Sequence, residues 1–158
     1  MFMPVSLFTL VQPRLTVFAL APVVSPVIGT EPLALAVQHP QGRRVCWVPD
    51  AENPPHSPAS RAAALGAFMT RHQPSAEPAI LLVPDYAMVQ RFVPVSTRWP
   101  CPVVQIQTLA ARWGISSWAC ATKEDRAPAV SLLAWWQQTA QPALPPQTTV
   151  YDLLRPSA

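Results

Sequence analysis

The sequence predicts an α/β fold in which a mixed sheet opens with three antiparallel strands and carries helices packed on it. Three observations lead there. Short apolar runs of strand length alternate with two amphipathic stretches of helical period, and proline or glycine separates them. No run reaches the roughly 18 uninterrupted apolar residues that a membrane span needs, because prolines break the longest ones.

The first strand is expected over Leu15 to Ala21 (LTVFALA), ending at Pro22. Pro32 to Gln38 and Arg43 to Val48 are two further apolar runs, and His39, Pro40, Gln41 and Gly42 between them suit a reversing turn. These three make an antiparallel meander. Pro49 to Pro58 holds four prolines and no periodicity, which marks a surface loop. Ser57 before Pro58 is an N-cap and first-turn pair, and Ala62, Leu65, Phe68, Met69 and His72 come after it at helical spacing through about Arg71.

Ala79 to Val83 (AILLV) is apolar without alternation, the pattern of a central strand covered on both faces. Tyr86 to Val93 suits a short helix, and Val103 to Trp113 reads as strand then helix or as helix throughout, stopped by Gly114. A closing helix is expected from about Arg126 to Gln141, ended by Pro142. Adjacent Trp135 and Trp136 point about 100 degrees apart on it, so both are buried only under wide cover, and one of them is a candidate to face a partner. Residues 1–141 thus form one domain and 142–158 a proline-rich tail, in which Val150 to Leu154 is the segment able to dock.

Composition narrows the function. Half of the 158 residues are hydrophobic and 12% are charged, so the chain can offset its conformational entropy and fold. With 21 prolines, helices and central strands are confined to proline-free windows, and with four glycines there is little material for a phosphate-cradling loop. The net charge of +3 comes mainly from arginines dispersed from Arg14 to Arg155, not from a basic stripe. Cys46, Cys101 and Cys120 have no zinc or disulfide spacing and are expected to be ordinary buried thiols in a reducing compartment. The first 29 residues lack a basic n-region, and Pro4, Pro13, Pro22 and Pro26 break any signal helix, so a cytoplasmic location is expected. His39, His56 and His72 fall in turn, loop and helix without i, i+4 pairing, which gives no support for a catalytic dyad or a metal site.

The order of three antiparallel strands, helix, central strand, helix, strand and closing helix resembles the RNase H-like fold. Local phrases sharpen the resemblance toward the four-carboxylate (DEDD-type) proofreading exonucleases. LTVFALAPVV with EPLALAVQHPQGRRVCWV resembles that family's opening strands, but Ala19 and Ala21 stand where two metal-binding carboxylates belong. AILLVPDYAMVQRFV resembles the next segment, with Val89 at the third carboxylate and Asp85 out of register. IQTLAARWGIS and CATKEDRAPAVSLLAWW resemble the closing section, where Asp125 matches the last Asp and Cys120 replaces the His. Asp125 suits equally well a cap near the start of the last helix.

Covering about Leu15 to Gln138, the resemblance implies a pocket that has lost its chemistry. Two-metal hydrolysis needs several converging carboxylates holding ions about 4 Å apart, and one Asp does not supply them. The expectation is a catalytically inactive RNase H-like domain serving as a binding or scaffolding subunit in a nucleic-acid-processing or mobile-element complex, with no cofactor and no metal. Partner-binding candidates are Arg91, Arg112, Trp113, Arg126, Trp135 and Trp136. A protein partner is expected first, nucleic acid second, and no membrane. The alternatives are a protein-interaction adaptor using exposed tryptophan and the proline-rich loops, and a helix-turn-helix DNA-binding protein suggested by TLAARWGIS. The second helix of that motif is poorly supplied, since Ser116 to Lys123 is short and Pro128 interrupts the stretch beyond it.

Overall fold

The computed structural model of the chain describes residues 15–23, 31–50, 52–73, 78–119 and 127–154. The α/β class holds, with a five-stranded mixed sheet in the order β3-β2-β1-β4-β5. Its strands are β1 (Thr16–Pro22), β2 (Leu33–Gln38), β3 (Arg44–Cys46), β4 (Ala79–Val83) and β5 (Val103–Gln105). β1 pairs antiparallel with β2 and β2 with β3, whereas β1 with β4 and β4 with β5 are parallel. Only β2 therefore runs against the other four.

The turn between β2 and β3 closes where its residues predict. Gly42 adopts φ +93, a conformation that costs glycine little, and its N–H donates to the His39 carbonyl at 2.8 Å. Helix α1 (Pro58–His72) then crosses from β3 toward β4. Its start is over-determined, since the Ser57 side chain accepts from the Ser60 N–H, Ser60 Oγ accepts from the Ser57 N–H, and Pro58 occupies the first turn. Leu65, Phe68 and Met69 are its buried face.

Strand β4 is buried at every position, as its unbroken apolar run requires, and β1 is buried from Thr16 to Ala21. Alternation along β1 sends Phe18 and Leu20 to one face, where α1 and α2 (Tyr86–Val89) cover them. Val17, Ala19 and Ala21 go to the other, joined by Leu109 of α3 (Ile106–Trp113) and by Leu132 and Leu133 of α4 (Pro128–Trp135). Helix α3 ends at Gly114, φ +64, whose N–H returns to the Ala110 carbonyl. Each Leu, Ile, Val or Phe buried this way contributes about 1.5–3 kcal/mol.

The closing helix differs from the sequence expectation at its end. It starts at Pro128 among the described residues, with Arg126 outside them, and it does not stop at Pro142. After Trp135 the backbone loosens into a π turn (Trp136–Ala140), then resumes as α5 (Gln141–Ala143). The π turn carries the Gln141 N–H back to the Trp136 carbonyl, which leaves Pro142 in the first turn of α5, where a missing donor is tolerated. Farther on, α6 (Val150–Leu154) docks through Val150 and Leu153, and Leu144 joins the same core. No described helix is long and apolar enough to cross a membrane.

Two substitutions test this account by urea denaturation. Leu82→Ala, emptying a fully buried site in β4, should lower the unfolding free energy by about 2–5 kcal/mol. Ser57→Ala, removing the cap of α1, should lower it by about 1 kcal/mol.

Candidate functional site

The residues singled out by sequence do not assemble into one site. Ala19 and Ala21 are fully buried in the cluster containing Leu132, Leu133 and Trp136, whereas Val89 is fully buried in the cluster on the opposite face. Those three positions therefore do not converge above the sheet. Asp125, Cys120 and Arg126 lie outside the described residues. Asp85, out of register in sequence, caps α2 by accepting from the Ala87 N–H.

Among the partner-binding candidates, Trp135 and Trp136 are both buried, under the wide cover that the sequence requires for both, and neither is left to face a partner. The cover comes from two sides, because α4 lies across β1 and β2 while the Trp135 indole donates to the Ser116 carbonyl at 2.8 Å from the segment after α3. Indole N–H groups need partners once buried, and two others find them: Trp118 donates to Ser131 Oγ and Trp99 to the Tyr86 hydroxyl, each at 3.2 Å. Trp135 and Trp136 are the buried pair, and Trp47, Trp99, Trp113 and Trp118 are half-buried.

Arg61, Arg91 and Arg112 are dispersed in space as well as in sequence. Arg112 lies 4.4 Å from the centroid of the Trp113 ring and donates to the Asp152 carbonyl at 2.8 Å, fastening α3 to α6. Arg91 sits after α2 over Phe92, on the other side of the sheet from Arg112. Arg61 pairs with Glu31 and donates to the Phe92 carbonyl, tying α1 to the segments before β2 and after α2.

What the fold does assemble is a groove between edge strand β3 and α1, with a volume of about 590 Å³. On the strand side it is lined by Val45 and Trp47, and on the helix side by Ser60, Ala64, Ala67 and Arg71. Spacings of four, three and four residues place that last set on one flank of α1, beside the buried face. Because the middle two are alanines, the flank leaves open space next to the strand. The far end is polar, with Asp50, Asn53 and His56 from the loop after β3.

The near end is basic and contains a contact that sequence spacing hides. His72 Nδ1 and His39 Nε2 lie 3.3 Å apart, one ring donating to the other, although 33 residues separate them. The Phe68 ring stacks tilted against His72 with centroids 4.5 Å apart. Burial first, then His39, Arg71 and Arg43, holds the His72 pKa below its ordinary value. An i, i+4 test does not find this pair, since the β2–β3 turn delivers one ring and the end of α1 the other.

Of the two cysteines described, Cys101 is buried and its thiol is pushed up to about 12 by desolvation, whereas Cys46 on β3 is exposed, contrary to the expectation of buried thiols. Among the described residues, no group of three or more His, Cys, Asp or Glu could hold a metal ion. The chain matches no protein-family model, no curated protein and no solved structure.

The burial of His72, with His39, Arg71 and Arg43 beside it, makes stability depend on pH with a definite sign. A lowered folded value means that the unfolded chain takes up the His72 proton first, so its contribution is whole above about pH 6.5 and is lost as pH falls through that value. Thermal melts of the native chain between pH 8 and 5 should show a falling Tm below about 6.5, and His72→Gln should flatten that fall.

Proposed function

We propose that the chain is an RNase H-like domain without a working two-metal site and that it acts by binding a protein partner. Support for the fold assignment comes from the element order. Three strands paired antiparallel in succession, a helix, an interior strand parallel to the first, a short helix, a strand running into a helix and a closing helix form the succession that the resemblance implies.

The observation that carries the non-catalytic part is the state of β1. Ala19 and Ala21, at the positions assigned to the first two carboxylates, have no exposed surface and belong to a continuous apolar core with Leu132, Leu133 and Trp136. Metal hydrolysis at that place would need charged oxygens and room for ions and a water. Methyl groups closed over by a helix provide neither. The site set is thereby reduced to a scaffold, and what the scaffold presents is the groove beside β3.

A protein partner is favoured over nucleic acid by where the arginines are. Arg61 and Arg112 are engaged within the fold, Arg91 is on the opposite side from Arg112, and Arg43 and Arg71 stand at one end of a groove whose other end carries Asp50, so these side chains form no track along which a phosphate backbone could run.

The experiment is a pair of measurements on the native chain. Incubation with labelled single- and double-stranded DNA and RNA in magnesium or manganese should give no cleavage, and Asp125→Asn should behave as the native chain does. Fluorescence anisotropy on the same strands should give dissociation constants no tighter than the non-specific range of about 10⁻⁴–10⁻⁶ M at physiological salt. Turnover of any strand, or a tighter affinity with a steep salt slope, would sink this reading.

A further inference from the structure

Among the described residues, the backbone of β3 is used on one side only. The Trp47 N–H donates to the Leu35 carbonyl and the His39 N–H to the Arg43 carbonyl, each at 2.8 Å, and Val45 stands opposite Val37. In an antiparallel ladder residues alternate between facing the partner strand and facing away. Residues 43, 45 and 47 therefore bond to β2, and Arg44, Cys46 and Val48 turn their N–H and C=O groups away from the sheet. All three are exposed, and Val48 keeps 80% of its surface open.

The groove between β3 and α1 runs beside this open row. A strand added to β3 would lie about 4.8 Å farther out and would send alternate side chains toward the α1 flank. Ala64 and Ala67 leave space there, and Val45 and Trp47 offer apolar contact. Charge sets the polarity of the occupant. Arg43 and Arg71 carry positive charge at the end where β3 begins, beside the His39–His72 pair, and Asp50 stands at the end where the groove meets the following loop.

Resting on the reading of this domain as a protein binder, we propose that the groove takes an extended acidic peptide segment of another protein, paired antiparallel with β3 as a sixth strand. Backbone hydrogen bonds to Arg44, Cys46 and Val48 hold it, and one or two small apolar side chains enter between Trp47 and the alanines of α1. Acidic residues at its C-terminal end meet Arg43 and Arg71. This is recognition by strand addition, in which the main chain supplies affinity and alternate side chains supply selection.

The probes are two N-terminally labelled peptides, Thr-Val-Thr-Val-Thr-Glu-Glu and its counterpart ending in Lys-Lys, titrated with the full chain by fluorescence anisotropy. The acidic peptide should bind at least about tenfold more tightly, a difference that added salt reduces. In amide-resolved NMR, Arg44, Cys46 and Val48 should shift on its addition. Cys46→Pro deletes an outward donor that the β2 ladder does not use, and it should weaken binding about tenfold or more. Arg71→Glu, on the exposed flank of α1, should shift the preference toward the lysine peptide.

Equal affinity for both peptides, or binding without movement of the three amides, would overturn the proposal. So would movement of those amides with rising protein concentration alone, since sedimentation would then identify a second copy as the occupant. No binding of either peptide up to about 1 mM also overturns it, while leaving the non-catalytic reading intact, because that reading falls only with turnover of nucleic acid or with tight, strongly salt-dependent affinity for it.

Discussion

Two neighbouring strands with no polar face govern this molecule. β1 and β4 pair in parallel and are apolar on both sides, so neither surface of the sheet can be left to water. The remaining elements serve as cover. α1 and α2 close one face, and α3, α4, the π turn and α6 close the other. The price is that little is left over for chemistry, since the centre of the sheet, where a catalytic pocket could open, is filled with side chains from both layers.

This constraint explains why much of the fold is legible in the sequence. Unbroken apolar runs between prolines mark Ala79–Val83 at its observed bounds and Leu15–Ala21 to within one residue. Ser57 with Pro58 and the αL-adopting Gly114 fix helix ends by local backbone chemistry, which neighbours in sequence suffice to reveal. The closing helix is less readable. A proline ordinarily ends a helix, but here the π turn advances the hydrogen-bonding frame before Pro142, and such a turn leaves no composition signature.

The candidate site is hardly legible at all. Acids, indoles and arginines are the residues whose chemistry draws attention in a sequence, and the ones singled out there, such as Trp135, Trp136 and Arg112, are enclosed or engaged in fastening helices. The groove depends instead on two alanines, Ala64 and Ala67, and on the open side of a three-residue strand. Neither feature announces a function. The basic end is hidden for a different reason: His39 and His72 meet only because a β turn and a helix terminus are folded to the same place. Spacing rules that work within one element are blind to encounters between two.

The two described cysteines have sharply different environments. With its pKa pushed up to about 12 by burial, Cys101 is held as the thiol at pH 8, so a mild electrophile passes it by. Cys46 stands open on the strand beside the groove. Labelling at that sulfur is therefore a footprint of the edge itself, protected when a neighbouring chain lies across it and fast when none does, and it is readable by mass from a mixture in which no partner has been purified.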